Sequence, residues 1–142
     1  MLRLALDRIR TLVPDLPTDP ATRMGAIVSA AQCDRVLAFI RSAEEEGARL
    51  VIGGKRLELA GEAAGGNYVG PTIFADVTPA MRIAREEIFG PVLSVPKWSD
   101  ELQLLRDVNA VEYGLTCSIW TNDLGSAVRR REAVRYRPRG MP

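Results

Sequence analysis

The stretch Ala84-Arg-Glu-Glu-Ile-Phe-Gly-Pro-Val-Leu-Ser-Val95 decides how this chain folds. Two acids lead into an Ile-Phe pair, a Gly-Pro corner follows, and an apolar run of strand length, 91–95, leaves the corner. Such a run bounded by turn residues reads as a buried strand. Working outward, 68–77 reads as a second strand. It carries Pro71, which has no N–H to donate, so the strand belongs at an edge or holds an irregularity there. Residues 49–54, Arg-Leu-Val-Ile-Gly-Gly, make a third, and Thr116-Cys-Ser-Ile-Trp-Thr121 a fourth.

Helical patterns lie between these runs. Residues 2–13 place Leu2, Leu4, Leu6, Ile9 and Val13 among arginines and read as the end of an amphipathic helix, with no capping residue before it. Pro14, Pro17 and Pro20 then stiffen a loop. Ser29 and Gln32 form a capping-box pattern ahead of a helix that turns Cys33, Leu37, Ile40 and Ala43 inward and stops at Gly47. Ser99 caps a helix with Leu104, Leu105 and Val108 inward, and Asp123 opens a last one with Leu124, Ala127 and Val128 inward. Helix and strand alternate, which predicts the α/β class, a mostly parallel sheet with flanking helices.

Composition excludes several kinds of chemistry. The chain has 142 residues and 46% hydrophobic side chains, enough for one sizeable core. It contains no histidine, which removes Ser-His-Asp and Cys-His catalysis and His-ligated metals. Cys33 and Cys117 form no CxxC pair and lie in apolar patterns, so both read as buried hydrophobes rather than as ligands or nucleophiles. No apolar run is long enough to span a bilayer and no signal peptide opens the chain, so the expected location is cytoplasmic, with no membrane partner.

Charge divides the chain. Residues 1–124 carry a net of −4 and residues 125–142 a net of +5, six arginines against one glutamate. The boundary predicted on this basis separates a folded unit, 1–124, from a divergent Arg-rich tail, 125–142, that packs poorly. A reading-frame slip near codon 125 would write such a tail. A nucleic-acid binder would spread its basic groups over a folded face, so no nucleic-acid partner is expected.

Among the candidate functional residues, Glu87 and Phe89 stand out. Ligands collect at strand mouths in α/β sheets, where a carboxylate accepts from sugar hydroxyls and an aromatic ring presses against a flat ring or a ribose. The plainer alternative is a polar loop whose Phe89 anchors it to the core. Neither Gly53-Gly54 nor Gly65-Gly66 forms a phosphate-cradling motif.

The same stretch resembles the glutamate-phenylalanine-glycine-proline signature of the NAD(P)-dependent aldehyde dehydrogenase family. Five further motifs resemble that family in order: Asp19-Pro-Ala-Thr-Arg-Met-Gly25, Glu46-Gly-Ala-Arg-Leu-Val-Ile-Gly-Gly54, Gly66-Asn-Tyr-Val-Gly-Pro-Thr-Ile-Phe74, Asn109-Ala-Val-Glu-Tyr-Gly-Leu115 and Trp120-Thr-Asn-Asp-Leu124. Together they cover about residues 5–124. The resemblance implies a partial aldehyde dehydrogenase catalytic domain. It implies an oxidoreductase that takes an aldehyde to a carboxylic acid through a cysteine thiohemiacetal, with NAD or NADP as cofactor and an aldehyde as substrate.

By the same resemblance, Glu87 binds the nicotinamide-ribose hydroxyls, Phe89 packs beside them, and Gly90 and Pro91 shape the turn. Asn109, Tyr113 and Gly114 become packing and turn positions. The family's nucleophilic cysteine and base glutamate correspond to no residue of this chain and would lie upstream, so no catalytic residue is expected here. The isolated chain is expected to be a fragment without activity, capable of self-association or of pairing with a full-length subunit. The alternative is a non-catalytic remnant or docking module.

Overall fold

The computed structural model describes residues 2–114 and 116–134. In chain order the elements are α1 (Leu2–Ile9), α2 (Ala30–Glu45), β1 (Arg49–Ile52), β2 (Arg56–Leu57), β3 (Tyr68–Val69) and β4 (Thr72–Val77). They continue through α3 (Arg82–Arg85), β5 (Val92–Pro96), α4 (Glu101–Ala110) and α5 (Leu124–Ala133).

β4 is the centre of the fold. Ile73, Phe74, Ala75 and Val77 are all buried, the near-continuous apolar pattern of a strand covered on both faces. β1 pairs with it antiparallel and β5 pairs with it parallel, giving the order β1-β4-β5. The α/β class therefore stands, but the sheet is mixed rather than mostly parallel. A parallel partner needs a crossover of a dozen or more residues, which 78–91 supply with α3. Between β1 and β4 the chain carries no α-helix, only the small antiparallel β2–β3 pair and one 3-10 turn at Gly61–Ala63, so nothing turns the strand round.

The irregularity expected at Pro71 is present: the predicted strand 68–77 breaks into β3 and β4 at Gly70-Pro71. Thr72, the one buried polar residue described, has its needs met at the break. Its hydroxyl donates to the Gly70 carbonyl at 2.7 Å and accepts from the Gly54 N–H at 2.9 Å. Gly53, with φ +82°, lies so close that a Cβ would stand 2.2 Å from the Pro71 carbonyl oxygen. Only glycine allows that approach.

α2 lies against the sheet through Cys33, Val36, Phe39, Ile40 and Ala43, so Val36 and Phe39 join the predicted face and Leu37 stays half-buried. Ser29 caps the helix, accepting from the Gln32 N–H, and Gly47 ends it with φ +90°. The cap of α4 is Asp100 rather than Ser99, its carboxylate accepting from Leu102 and Gln103.

Further along, the expectations meet a different surface. Residues 116–121 form no strand, because β5 ends the sheet on that side and no described neighbour offers them a ladder. Cys117 is accordingly exposed, not buried. Trp120, Leu124, Val128 and Val108 are exposed as well, so the predicted inward faces of α4 and α5 are only partly covered. α5 docks on α4 by polar contacts: Arg130 donates to Glu101 at 2.8 Å and Asn109 donates to the Ala133 carbonyl at 2.9 Å. The expectations for Leu115 and for 135–142 fall outside the described residues.

Asp76 shows how the strands are tied at their ends. It adopts φ +57° at the irregularity of β4 and accepts from Arg49 at 2.8 Å on one side and Lys97 at 2.7 Å on the other. Lys97 and then Arg49 hold its carboxyl below the usual range. Arg82 does the same to Glu86, Arg130 to Glu101 and the Ser126 hydroxyl to Asp123. Each group binds its proton more weakly folded than unfolded. Stability from these contacts is therefore present above the ordinary carboxylate range and drains away as pH falls below that range and through the lowered values of the folded state. The thermal midpoint should be lower at about pH 3.5 than at neutral pH, by a modest amount because the pairs are exposed. A midpoint that rises on acidification contradicts this.

Candidate functional site

The turn between α3 and β5 is assembled from three directions. Ile88, 8% exposed, enters the core and fixes the turn from inside. Gly90 presses on α2 so closely that a Cβ would meet the Val36 methyl groups at 2.6 and 2.8 Å. Pro91 supplies the carbonyl that accepts from the Thr72 N–H at 2.8 Å, joining the turn to β4.

These contacts answer the question the sequence left open about Phe89. The ring is 72% exposed and does not anchor the loop; Ile88 does. The Phe89 backbone sits at φ +51°, a conformation costing a residue with a Cβ about 1–3 kcal/mol unless its surroundings hold it. The ring is therefore held outward on a strained turn, two residues after Glu87.

Glu87 and Phe89 do come together. Both line one open cleft of about 430 Å³, with Ile83, Glu86, Gly90 and Ser94 among its other walls. The cleft lies at the amino ends of the parallel β4–β5 pair, since Thr72 is registered with Val92. Ligands in open α/β sheets usually gather at the carboxyl ends, so the helices and the turn, not the sheet's mouth, build this site. Glu86 is turned to a structural task. Arg82 donates to it from Nε at 2.9 Å and Nη2 at 3.2 Å, while its guanidinium lies 4.0 Å from the centre of the buried Phe39 ring.

Gln32 is a further participant. Its backbone N–H meets Ser29, as the capping-box pattern predicts. Its side chain instead crosses to the turn, with Nε2 donating to the Ile88 carbonyl at 3.0 Å and the Phe89 carbonyl at 3.3 Å. No sequence signal points to it, because the partners lie 56 and 57 residues away.

A larger, more apolar cleft of about 520 Å³ runs between α3, the end of β5 and α4, with Trp98, Leu104 and Val111 on its walls. Neither predicted site residue reaches it. Among the described residues no group of three or more Cys, Asp or Glu is placed to hold a metal ion. Cys33 is fully buried within the core.

The fold is thus a mixed α/β sheet whose turn before the parallel strand β5 carries Glu87 and the exposed Phe89. The sequence model of the aldehyde dehydrogenase family matches residues 1–137, and the chain belongs to that family. Aldehyde dehydrogenase tropH of Talaromyces stipitatus is 62% identical over 118 residues, which cover 82% of this chain and 23% of that protein. Betaine aldehyde dehydrogenase 1 of Rhizobium meliloti is 47% identical over 124 residues, 87% of this chain and 25% of that protein.

Among solved structures, the P. syringae indole-3-acetaldehyde dehydrogenase AldA in complex with NAD+ and IAA superposes with a TM-score of 0.87 at 42% identity. It covers 95% of this chain, which spans 27% of that one. The Mycobacterium tuberculosis aldehyde dehydrogenase complexed with NAD+ gives 0.85 at 37% identity, again over 95% of this chain and 27% of that one. The chain thus spans about a quarter of the length of the relatives it matches. No helix among the described residues is long and apolar enough to cross a membrane.

Proposed function

We propose that this chain supplies the nicotinamide-ribose side of an NAD(P)-dependent oxidoreductase that converts an aldehyde to a carboxylic acid through a cysteine thiohemiacetal. The observation that carries the reading is the exposed Phe89 ring beside Glu87 in one cleft, on a member of the aldehyde dehydrogenase family. The donor set fits one end of the cofactor. A carboxylate accepts from a ribose diol, and a bare aromatic face packs on a ribose or a nicotinamide. The described cleft walls include no lysine or arginine, so the reading assigns the diphosphate to other parts of the enzyme. When bound, the nicotinamide accepts the hydride that leaves the substrate carbon. Glu87 and Phe89 orient it, and the nucleophile and the base come from outside this chain. The residues 1–124 then form the catalytic-domain piece, followed by the Arg-rich 125–142, and the working location is the cytoplasm.

The test joins the chain to the remaining three quarters of a relative and compares Glu87→Gln with the unsubstituted hybrid. A neutral amide accepts more weakly than a carboxylate, and losing one charge-assisted hydrogen bond costs about 1.5–3 kcal/mol, roughly 10- to 150-fold in cofactor affinity or turnover. Unchanged affinity and turnover refute the assignment. A second reading, a docking module without activity of its own, is favoured by the exposed Trp120, Leu124 and Leu102. A folded hybrid that binds cofactor yet never turns over supports that second reading.

A further inference from the structure

We infer that Gln32 is a positioning residue for the cofactor contact, setting the backbone of Phe89 from across the fold. The inference rests on the nicotinamide-ribose reading of Glu87 and Phe89. A primary amide carries two N–H protons, and here one nitrogen reaches two successive carbonyls, those of Ile88 and Phe89. These two groups flank the residue held at φ +51°.

The ring cannot hold that conformation itself, because it stands in solvent. Ile88 fixes where the turn enters the core, and the Val36–Gly90 approach fixes where it leaves. Gln32 is the polar contact between them, and it aims the peptide planes on either side of the Phe89 Cα. Its own place is fixed by the first turn of α2, where Ser29 caps its N–H. Remove the amide and two carbonyls lose their shared donor. Phe89 then relaxes toward the ordinary right-handed or extended regions, which swings the ring away from Glu87.

The full chain, uniformly labelled with 13C, tests this with nicotinamide mononucleotide as probe at millimolar concentration. It contains three phenylalanines, and the buried Phe39 and Phe74 serve as internal references for Phe89. In the unsubstituted chain the Phe89 backbone shifts should report the left-handed region, and the probe should move the Phe89 ring signal and neither reference. In Gln32→Glu, which keeps the size and loses both donors, the left-handed shifts should disappear. The probe should bind about tenfold more weakly, the factor matching one ordinary hydrogen bond, with the thermal midpoint nearly unchanged.

Gln32→Leu should behave alike; if it fails to fold, Gln32→Glu carries the test alone. Variants that keep Phe89 left-handed and bind the probe as the unsubstituted chain does overturn the role of Gln32 and leave the nicotinamide-ribose reading standing. A Phe89 ring that ignores the probe in the unsubstituted chain overturns that reading, and this inference with it.

Discussion

Incubated with NAD, NADP and a panel of short, aromatic and amino-aldehydes, the 142-residue chain alone should generate no reduced cofactor above the uncatalysed background. Aldehyde oxidation needs a thiolate to attack the carbonyl, donors for the oxyanion that develops, and a nicotinamide within hydride reach. Cys33 is shut inside the core between α2 and the sheet, and Cys117 stands exposed on a segment without regular structure. No histidine exists to activate either thiol. Glu87 and Phe89 offer two contacts, enough to register a mononucleotide at millimolar concentration but too few to order a whole dinucleotide for hydride transfer against an association cost of about 4 kcal/mol or more. Enzymes reach accelerations of about a millionfold and beyond only with all of these groups placed together, so the expected difference from a complete enzyme is of that order. Turnover that disappears in Cys33→Ala or Cys117→Ala would make one of these cysteines a nucleophile and overturn the assignment.

The second large effect separates two phenylalanines that the sequence does not distinguish. Phe39→Ala should destabilise the chain by about 3–5 kcal/mol, the range for emptying a buried aromatic site. That is a large share of the roughly 5–15 kcal/mol that holds a domain together. Phe39 is fully buried, and its ring is also the surface on which Arg82 rests while gripping Glu86. The loss therefore reaches the loop that carries Glu87. Phe89→Ala should change stability by no more than about 0.5 kcal/mol, as for an exposed side chain, because its ring touches solvent over most of its surface. Urea titrations of both variants decide the matter. A Phe89→Ala variant as damaged as Phe39→Ala would restore the plainer reading of Phe89 as an anchor.

Local order was legible wherever a residue's partners lie within a few positions. The Ser29 cap, the stop at Gly47, the break at Pro71 and the apolar run of β4 all follow from backbone chemistry and spacing. That Glu87 and Phe89 share one cleft was legible because the motif holding them is contiguous. The reading failed where burial depends on a distant element. Residues 116–121 have the composition of a strand and the last helix has an apolar stripe, yet no described strand pairs with the first. Leu124 and Val128 of the stripe stay in solvent. Periodicity states which face could be buried; a neighbour has to be present for burial to happen.

By itself, then, the sequence determined the α/β class, the family, the place of the Glu-Ile-Phe-Gly-Pro turn and the lack of histidine in this chain. These rest on residue identity and short spacings, which the chain carries in any conformation. Tertiary structure alone decided that β1 runs against β4, that Ile88 and not Phe89 is the anchor, and that Gln32 spans 57 residues to hold the Phe89 carbonyl. Each depends on which surfaces meet when α2 closes over the turn, and a left-handed φ at a phenylalanine survives only because those surfaces hold it there.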